Sequence, residues 1–233
     1  MKDLLIILPT SDINSPASRR CIEHLQQTDL SLAELLVYDS VYDDDLSYPR
    51  LIQSIIELEK GRPIILIYRD VIIKEKNWID KILEVRANSN ALLVGTRQSS
   101  EDVGIVTSGV KIISPFDALS IVSFLHSSPY NYVPAVSEGL LFISDTGKIN
   151  IDITYKYNCF ELDMCMQAWS LNEKVACAEE IKTISPRARL CLEEKGQKAR
   201  QQSCSEDIAY FISKWKNFIE NELYNIKELA IFA

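Results

Sequence analysis

The run Leu4-Leu5-Ile6-Ile7-Leu8-Pro9 decides the fold, because it is the first of four apolar segments of the same kind. Five consecutive apolar residues predict a strand that is buried on both faces, and a proline ends it. Similar segments recur at 35–38, 64–67 and 91–94, and each is followed by a polar turn or a glycine. Strands of this kind are typical of parallel sheets that are covered by helices on both faces.

The segments between these strands have helical signals. Ser15 and Pro16 form a cap and first-turn pair, and they predict a helix that runs to about residue 27. Apolar residues at helical spacing predict further helices from about 47 to 61 and from 76 to 88. The first 95 residues therefore predict an α/β protein with a Rossmann-like, mostly parallel sheet and helices on both faces.

The carboxyl ends of such strands lie at one edge of the sheet, where ligands bind. The residues at the ends of the first three strands are Pro9-Thr10-Ser11, Asp39-Ser40 and Arg69-Asp70. This edge is the first candidate for a binding site.

Beyond residue 95 the strand–helix alternation breaks. We expect a polar loop over 96–109, a helix over 115–126, a buried strand at 140–143, a helix over 160–172 and a strand at 175–178. From residue 186 the chain is charged and helical, with one apolar face for docking on the body. The sequence predicts one domain over 1–185 and a C-terminal helical extension over 186–233.

Composition excludes several classes of function. The chain has 233 residues, a net charge of −8 and a pI near 4.9, which argue against a nucleic-acid surface. Six cysteines occur without a C-x-x-C pair, and we expect reduced thiols. The first apolar run is too short for a signal peptide, and no stretch reaches the ~20 apolar residues of a membrane span. These features predict a cytoplasmic protein, either free or peripheral at the membrane.

Common catalytic motifs are missing from the sequence. The turn after the first strand has no glycine, which excludes a dinucleotide-binding G-x-G-x-x-G motif, and there is no Walker A loop. The two histidines, His24 and His126, lie in predicted helices without a nucleophile elbow, which argues against Ser-His-Asp and zinc chemistry. Carboxylates remain as the candidate chemical groups.

Two acids, Glu161 and Asp163, stand among apolar residues at the start of the helix predicted over 160–172. Carboxylates are rarely buried without a partner or a task. A helix N-terminus favours negative charge by only about 0.3–1 kcal/mol, so we expect an open cleft beside them. The alternative is an ordinary N-terminal cap. Residues two apart on a helix differ by ~200°, so the two acids should have different roles, with Glu161 at the cleft.

Each acid at the sheet edge also has two interpretations. Asp39 suits a hydrogen bond to a ribose or a base, or it caps its own turn. Asp70 suits a divalent cation that bridges phosphates, or it forms a surface pair with Arg69. The acidic run at 43–45 is interpreted as a solvated loop.

Taken in order, these segments resemble a family-2-like glycosyltransferase with the A-type fold. The motifs that carry the resemblance are 5–10 with its proline, 37–40 with its aspartate, 64–71 with Asp70, 139–143, the acidic helix start at 160–168, and the Phe-x-x-Lys-Trp element at 211–215. The resemblance covers roughly 1–180 and part of the C-terminal tail. It implies a nucleotide-binding half over 1–95 and an acceptor half over 96–185.

The resemblance also implies the roles of the candidate residues. A nucleotide-diphosphate sugar would bind at Pro9, Thr10, Asp39, Arg69 and Asp70, and Asp70 would hold Mg²⁺ or Mn²⁺. Glu161 would act as the base of an inverting transfer, and Asp163 would support that site or bind the acceptor. The acceptor would be a glycan, a lipid-linked saccharide or a protein.

Three departures from the family pattern keep an alternative open. Glu161 stands where the family has an aspartate base, the region around Asp70 has one acid instead of two, and no histidine follows His126. A degenerate relative that binds a sugar nucleotide or a partner protein without transfer is therefore the alternative. A nucleotidyltransferase would need a basic, glycine-rich loop after the first strand, which the sequence lacks.

Overall fold

A computed structural model describes most of the chain. The described residues are 2–10, 12–39, 47–59, 61–68, 70–100, 106–113, 117–122, 128–136, 139–156, 159–185 and 197–232. Arg69 and the acidic run at 43–45 lie outside these ranges.

The strands and helices follow the predicted alternation as far as residue 100. The strands are β1 (Leu4–Thr10), β2 (Ala33–Asp39), β3 (Ile64–Ile67), β4 (Ile72–Ile73), β5 (Leu93–Ser100), β6 (Val106–Ile113), β7 (Asp117–Val122), β8 (Tyr130–Tyr132), β9 (Leu140–Ile143) and β10 (Val175–Ser185). The helices are α1 (Pro16–Gln26), α2 (Tyr48–Leu58), α3 (Trp78–Ser89), α4 (Phe160–Ser170) and α5 (Gln197–Asn221).

The described strands form one ten-stranded sheet, whose main path has the order β2-β1-β3-β9-β5-β10-β4. Strand β1 is parallel to β2 and β3, and β5 is parallel to β10. Strand β9 is antiparallel to both β3 and β5. Strands β1, β2, β3, β5 and β10 therefore all run in one direction, opposite to β9. The expected mostly parallel sheet with helices is confirmed.

The sheet is covered on both faces because successive residues of β1 point to opposite sides. Leu5 and Ile7 belong to the core that includes residues of α2, α4 and α5. Leu4, Ile6 and Leu8 belong to the core that includes residues of α1 and α3. A strand buried on both faces is what the continuous apolar run predicted.

Two expectations for the middle of the chain are wrong. Residues 96–109 are not mainly loop: β5 continues to Ser100, and β6 begins at Val106 and pairs with it. The helix expected over 115–126 is also absent, because residues 117–122 form β7, antiparallel to β6. Short apolar segments fit a strand or a buried helix equally well, and here the pairing partner decides.

The C-terminal helix α5 docks on the body as expected. Phe211 and Ile219 are buried, and Leu223, in the short turn after α5, is fully enclosed. None of the described helices is long and apolar enough to cross a membrane.

Candidate active site

The carboxyl ends of β1, β2 and β3 lie side by side, as the sequence predicted. Thr10 is paired in register with Asp39, and Pro9 with Tyr38. Ile7 is in register with Leu66, so the turn after β3 reaches the same level of the sheet. Asp39 is exposed at the end of β2. Strand register thus brings Pro9, Thr10 and Asp39 to the same edge of the sheet, and Asp70 lies in the turn after β3.

The Thr10 side chain faces helix α1. It is fully buried, and its hydroxyl lies 2.6 Å from the Ser18 hydroxyl and accepts a 3.2 Å hydrogen bond from the backbone N–H of Asp12. Ser18 is also joined to the helix cap Ser15. Thr10 therefore anchors the start of α1 to the sheet edge, and its backbone is the part that lies at the edge.

Asp70 follows β3 in a tight turn that is closed by a 3.0 Å hydrogen bond from the Val71 N–H to the Tyr68 carbonyl. Its carboxylate is close to the buried thiol of Cys21 on α1. Burial, with the charge of Asp70 as a second cause, raises the pKa of that thiol to about 12.

The described residues contain no group of three or more acidic, histidine or cysteine side chains that could hold a metal ion. Asp70 offers a carboxylate, the ligand type that Mg²⁺ and Mn²⁺ prefer. The residues present thus fit a cation that is held mainly by a diphosphate and water, and they do not form a cage built by the protein alone.

Helix α4 is placed by the segment that leads into β9. The indole N–H of Trp169 donates to the carbonyls of Val133 and Pro134, and the Cys165 thiol is hydrogen-bonded to the Val136 backbone. The helix and this segment therefore run in opposite directions. Glu161 lies one turn before Cys165 on the same helix.

Glu161 is the second residue of α4, and its environment differs from the one expected. We predicted an open cleft beside the two acids, but the Glu161 side chain is only 3% exposed. Its Oε1 atom has no hydrogen-bond partner among the residues that the structure describes. Burial raises the pKa of Glu161 to about 8, so the carboxyl holds its proton in neutral solution. A hydrogen bond from the backbone N–H of Glu161 to its own carboxyl lowers the pKa, but burial outweighs it.

The start of α4 has no side-chain cap. Cys159 occupies the cap position with a left-handed backbone (φ 65°) and makes no side-chain capping hydrogen bond. A non-glycine residue in this region is strained and persists where the surrounding structure holds it.

Asp163, also buried, is surrounded by donors. Its Oδ1 atom accepts hydrogen bonds from the Tyr155 hydroxyl at 3.1 Å and the Trp215 indole at 2.6 Å, and it is paired with Lys214 at 2.8 Å. Its Oδ2 atom accepts from Gln167 at 2.6 Å. The two acids therefore have different environments.

The sequence did not reveal the partners of Asp163 as a group. Gln167 had a signal, because a residue four positions later lies on the same helix face. Lys214 and Trp215 belong to the Phe-x-x-Lys-Trp element, which marked them without indicating what they contact. Tyr155 and Asp152, which accepts from Lys214 at 2.8 Å, had no local signal.

Comparison with known proteins supports the fold. No family model and no curated protein sequence matches the chain. The structure is similar to that of GalNAc-T7 with UDP, GalNAc and Mn²⁺, with a TM-score of 0.59 and 8% identity over 78% of this chain and 43% of that chain. It is also similar to S. aureus TarS 1–349, with a TM-score of 0.55 and 10% identity over 97% of this chain and 75% of that chain.

These similarities define the class of fold. This chain spans less than half of the GalNAc-T7 chain, at 43%. Identities of 8 and 10% leave a likeness in architecture. The chain has the glycosyltransferase A-type fold, which confirms the fold that the sequence resemblance implied.

Proposed function

We propose that this protein is an inverting glycosyltransferase that moves a sugar from a nucleotide-diphosphate sugar to an acceptor hydroxyl. The observation that carries the proposal is the Glu161 carboxyl, which is buried in the first turn of α4 and lacks a partner for Oε1 among the described residues. A buried carboxyl oxygen without a partner costs stability, and sites of chemistry are where such costs are found. The glycosyltransferase A-type fold supplies the rest of the support.

In the proposed reaction, ionised Glu161 takes the proton from the acceptor hydroxyl as its oxygen attacks the anomeric carbon. The bond from that carbon to the diphosphate oxygen breaks, the nucleoside diphosphate leaves with the electron pair, and Glu161 ends protonated. A positioned base of this kind contributes typically 10²–10⁴-fold. Asp163 supports the first turn of the helix that carries the base.

The donor is proposed to bind along the nucleotide-binding half, 1–95, and the acceptor in 96–185. Pro9 and Thr10 contribute backbone, Asp39 holds the nucleoside, and Arg69 and Asp70 face the diphosphate. A divalent cation on Asp70 would neutralise charge on the leaving diphosphate. The GalNAc-T7 structure contains UDP and Mn²⁺, which supports a donor and a cation of these classes.

Burial of Glu161 also favours a second candidate function. A carboxyl that is 3% exposed meets an acceptor hydroxyl only after the surrounding residues move. A sugar-nucleotide-binding relative without transfer would tolerate a buried, protonated glutamate as a plain core residue. The two candidates share the donor edge and differ in the role of Glu161.

One set of measurements separates them. The protein is incubated with a panel of nucleotide-diphosphate sugars and a set of glycan acceptors with Mn²⁺ or Mg²⁺, and release of the nucleoside diphosphate is followed for the wild type and Glu161→Gln. We expect release by the wild type that is lost in the variant, with donor binding unchanged by calorimetry. Binding without release supports the second candidate, and no binding of any donor contradicts both.

A further inference from the structure

The first turn of α4 is tied to helix α5 by two adjacent residues. The Trp215 indole N–H donates to Asp163 Oδ1 at 2.6 Å, and the Lys214 ammonium lies 2.8 Å from the same oxygen. The Asp163 side chain is buried, while Lys214 is partly exposed. Hydrogen bonds with a charged partner are about twice as strong as neutral ones, so this is a directional connection between the two helices.

Lys214 is held from several sides. Its ammonium also lies 2.8 Å from Asp152 Oδ2, which accepts a 2.9 Å hydrogen bond from the Tyr210 hydroxyl as well. The rings of Tyr155, Tyr210 and Trp215 stand 5.6–5.9 Å from the Lys214 nitrogen. Burial opposes the charge, but hydrogen bonds to Asp152 and Asp163 outweigh it and raise the pKa of Lys214.

The position of this connection is informative. Apolar contacts of Phe211 and Ile219 already attach α5 to the body, and they are non-directional. The charged connection reaches the first turn of α4, where Cys159 provides no side-chain cap. Glu161 lies two residues from Asp163, about 3 Å along the helix axis. Whatever fixes Asp163 therefore fixes the part of the helix from which Glu161 extends.

We propose that Lys214 and Trp215 are positioning residues that hold Asp163 and thereby set the place of the Glu161 carboxyl. This inference rests on the proposed function, in which Glu161 is the base. Neither residue touches the substrate. The C-terminal extension is then part of the machinery of transfer, although it lies outside the domain that carries the acids.

The test compares Trp215→Phe, Lys214→Met and Lys214→Arg with a control ion pair that joins the segment before α4 to helix α5. Trp215→Phe keeps an aromatic ring, although a smaller one, and removes one donor without a change of charge. The control is Lys156→Met. Lys156 lies in the segment before α4, close in sequence to Asp152, and it pairs with Glu206 of α5 at 2.9 Å, with both side chains half exposed. Each variant is assayed, below its melting temperature, with the donor that the wild type turns over best.

We expect kcat to fall about tenfold or more in Trp215→Phe and Lys214→Met, with donor KM within about twofold of the wild type. Lys214→Arg should recover most of kcat, and Lys156→Met should leave it unchanged. A purely structural role lowers the melting temperature and leaves kcat of the folded protein intact. Wild-type kcat in Trp215→Phe would therefore overturn the inference.

A second measurement keeps the inference separate from the proposed function. If the wild type turns over no donor, the proposed function fails. The positioning role is then tested by titration of the Glu161 carboxyl, which is followed by infrared difference spectroscopy against Glu161→Gln. Trp215→Phe should lower its midpoint by about one pH unit, because a loosened first turn admits water. Lys156→Met should not shift it. An unchanged midpoint in Trp215→Phe contradicts the positioning role even without an assay of transfer.

Discussion

Glu161 and Asp163 stand two residues apart in the first turn of α4, both buried, and their carboxyl groups have opposite environments. Asp163 is paired with a cation and accepts from three further side chains. Glu161 has one oxygen without a partner among the described residues. We therefore expect Glu161 to affect the pH dependence of the protein, and the ion pair of Asp163 to affect its free energy of unfolding.

The first prediction concerns stability and pH. Burial raises the pKa of Glu161 from 4.5 to about 8, so between these values the folded chain binds more protons than the unfolded chain. The free energy of unfolding therefore falls with rising pH across this window, by at most about 1.4 kcal/mol per pH unit. Glu161→Gln has no proton to lose, so it should gain stability relative to the wild type as pH rises. Denaturant unfolding at several pH values checks this, and a constant difference between the two proteins would contradict it.

The second prediction concerns turnover and pH. A base must be ionised, and the Glu161 carboxyl ionises near pH 8. Transfer should therefore increase about tenfold per pH unit below that value and level off above it. Initial rates at donor and acceptor concentrations well below KM, which report the pKa of the free protein, measure the profile. A rate that is already flat at pH 6 would assign the base to another group.

The third prediction concerns the ion pair that holds α5. Lys214→Met removes the cation from buried Asp163, and breaking a buried pair in this way costs about 3 kcal/mol. The matched control is Lys148→Met, which removes an exposed pair with Glu173 and should cost about 0.5 kcal/mol or less. Denaturant unfolding of the three proteins measures both values. Equal costs would mean that Lys214 acts as an ordinary surface lysine.

The fourth prediction concerns the contact between β5 and the segment before β9. A Cβ atom at Gly95 would lie 2.6 Å from Val136 Cβ and 2.5 Å from its Cγ1. Gly95→Ala should cost about 1–3 kcal/mol, because a packed core accommodates added volume poorly. Val136→Ala in the same chain should return part of that loss, since it removes the methyl groups that collide. A double-mutant cycle by thermal or denaturant unfolding measures the coupling, and purely additive costs would contradict the contact.

The fifth prediction concerns the cation. Asp70→Asn should reduce the part of the affinity for a nucleotide-diphosphate sugar that depends on Mn²⁺ and leave the part measured in EDTA unchanged. Asp80→Asn is the control, because Asp80 is an exposed acid on α3 away from the sheet edge. Calorimetric titration with and without Mn²⁺ provides the comparison. Equal Mn²⁺ dependence in all three proteins would remove Asp70 from the cation site.

The sequence predicted the first half of the fold because its signals there are local. Each of β1, β2, β3 and β5 contains a continuous apolar run, and Ser15 and Ser47 cap the helices that follow two of them. The register of Thr10 with Asp39 then follows from parallel pairing. The edge that delivers these residues was therefore accessible from pattern alone.

The remaining features depend on contacts between distant residues. Strand β7 was taken for a helix because nothing in its own sequence reveals that β6 pairs with it. The open cleft expected at the two acids was wrong because Asp163 obtains its cation from Lys214, 51 positions later. No local pattern pairs such residues. No local pattern shows that Glu161 is buried with its Oε1 atom lacking a partner among the described residues.

Strand β9 also determines the order in which the protein can assemble during synthesis. Strand β9 lies between β3 and β5, so β3 and β5 share no hydrogen bonds. In a nascent chain that ends near residue 100, no strand hydrogen bonds join β5 to β1, β2 and β3. Until residues 140–143 leave the ribosome, the edge of β3 exposes unpaired backbone groups, the kind of surface at which nascent chains associate wrongly. The sheet that carries Thr10 and Asp39 therefore gains its neighbouring strand on the β3 side only after residues 140–143 have been made.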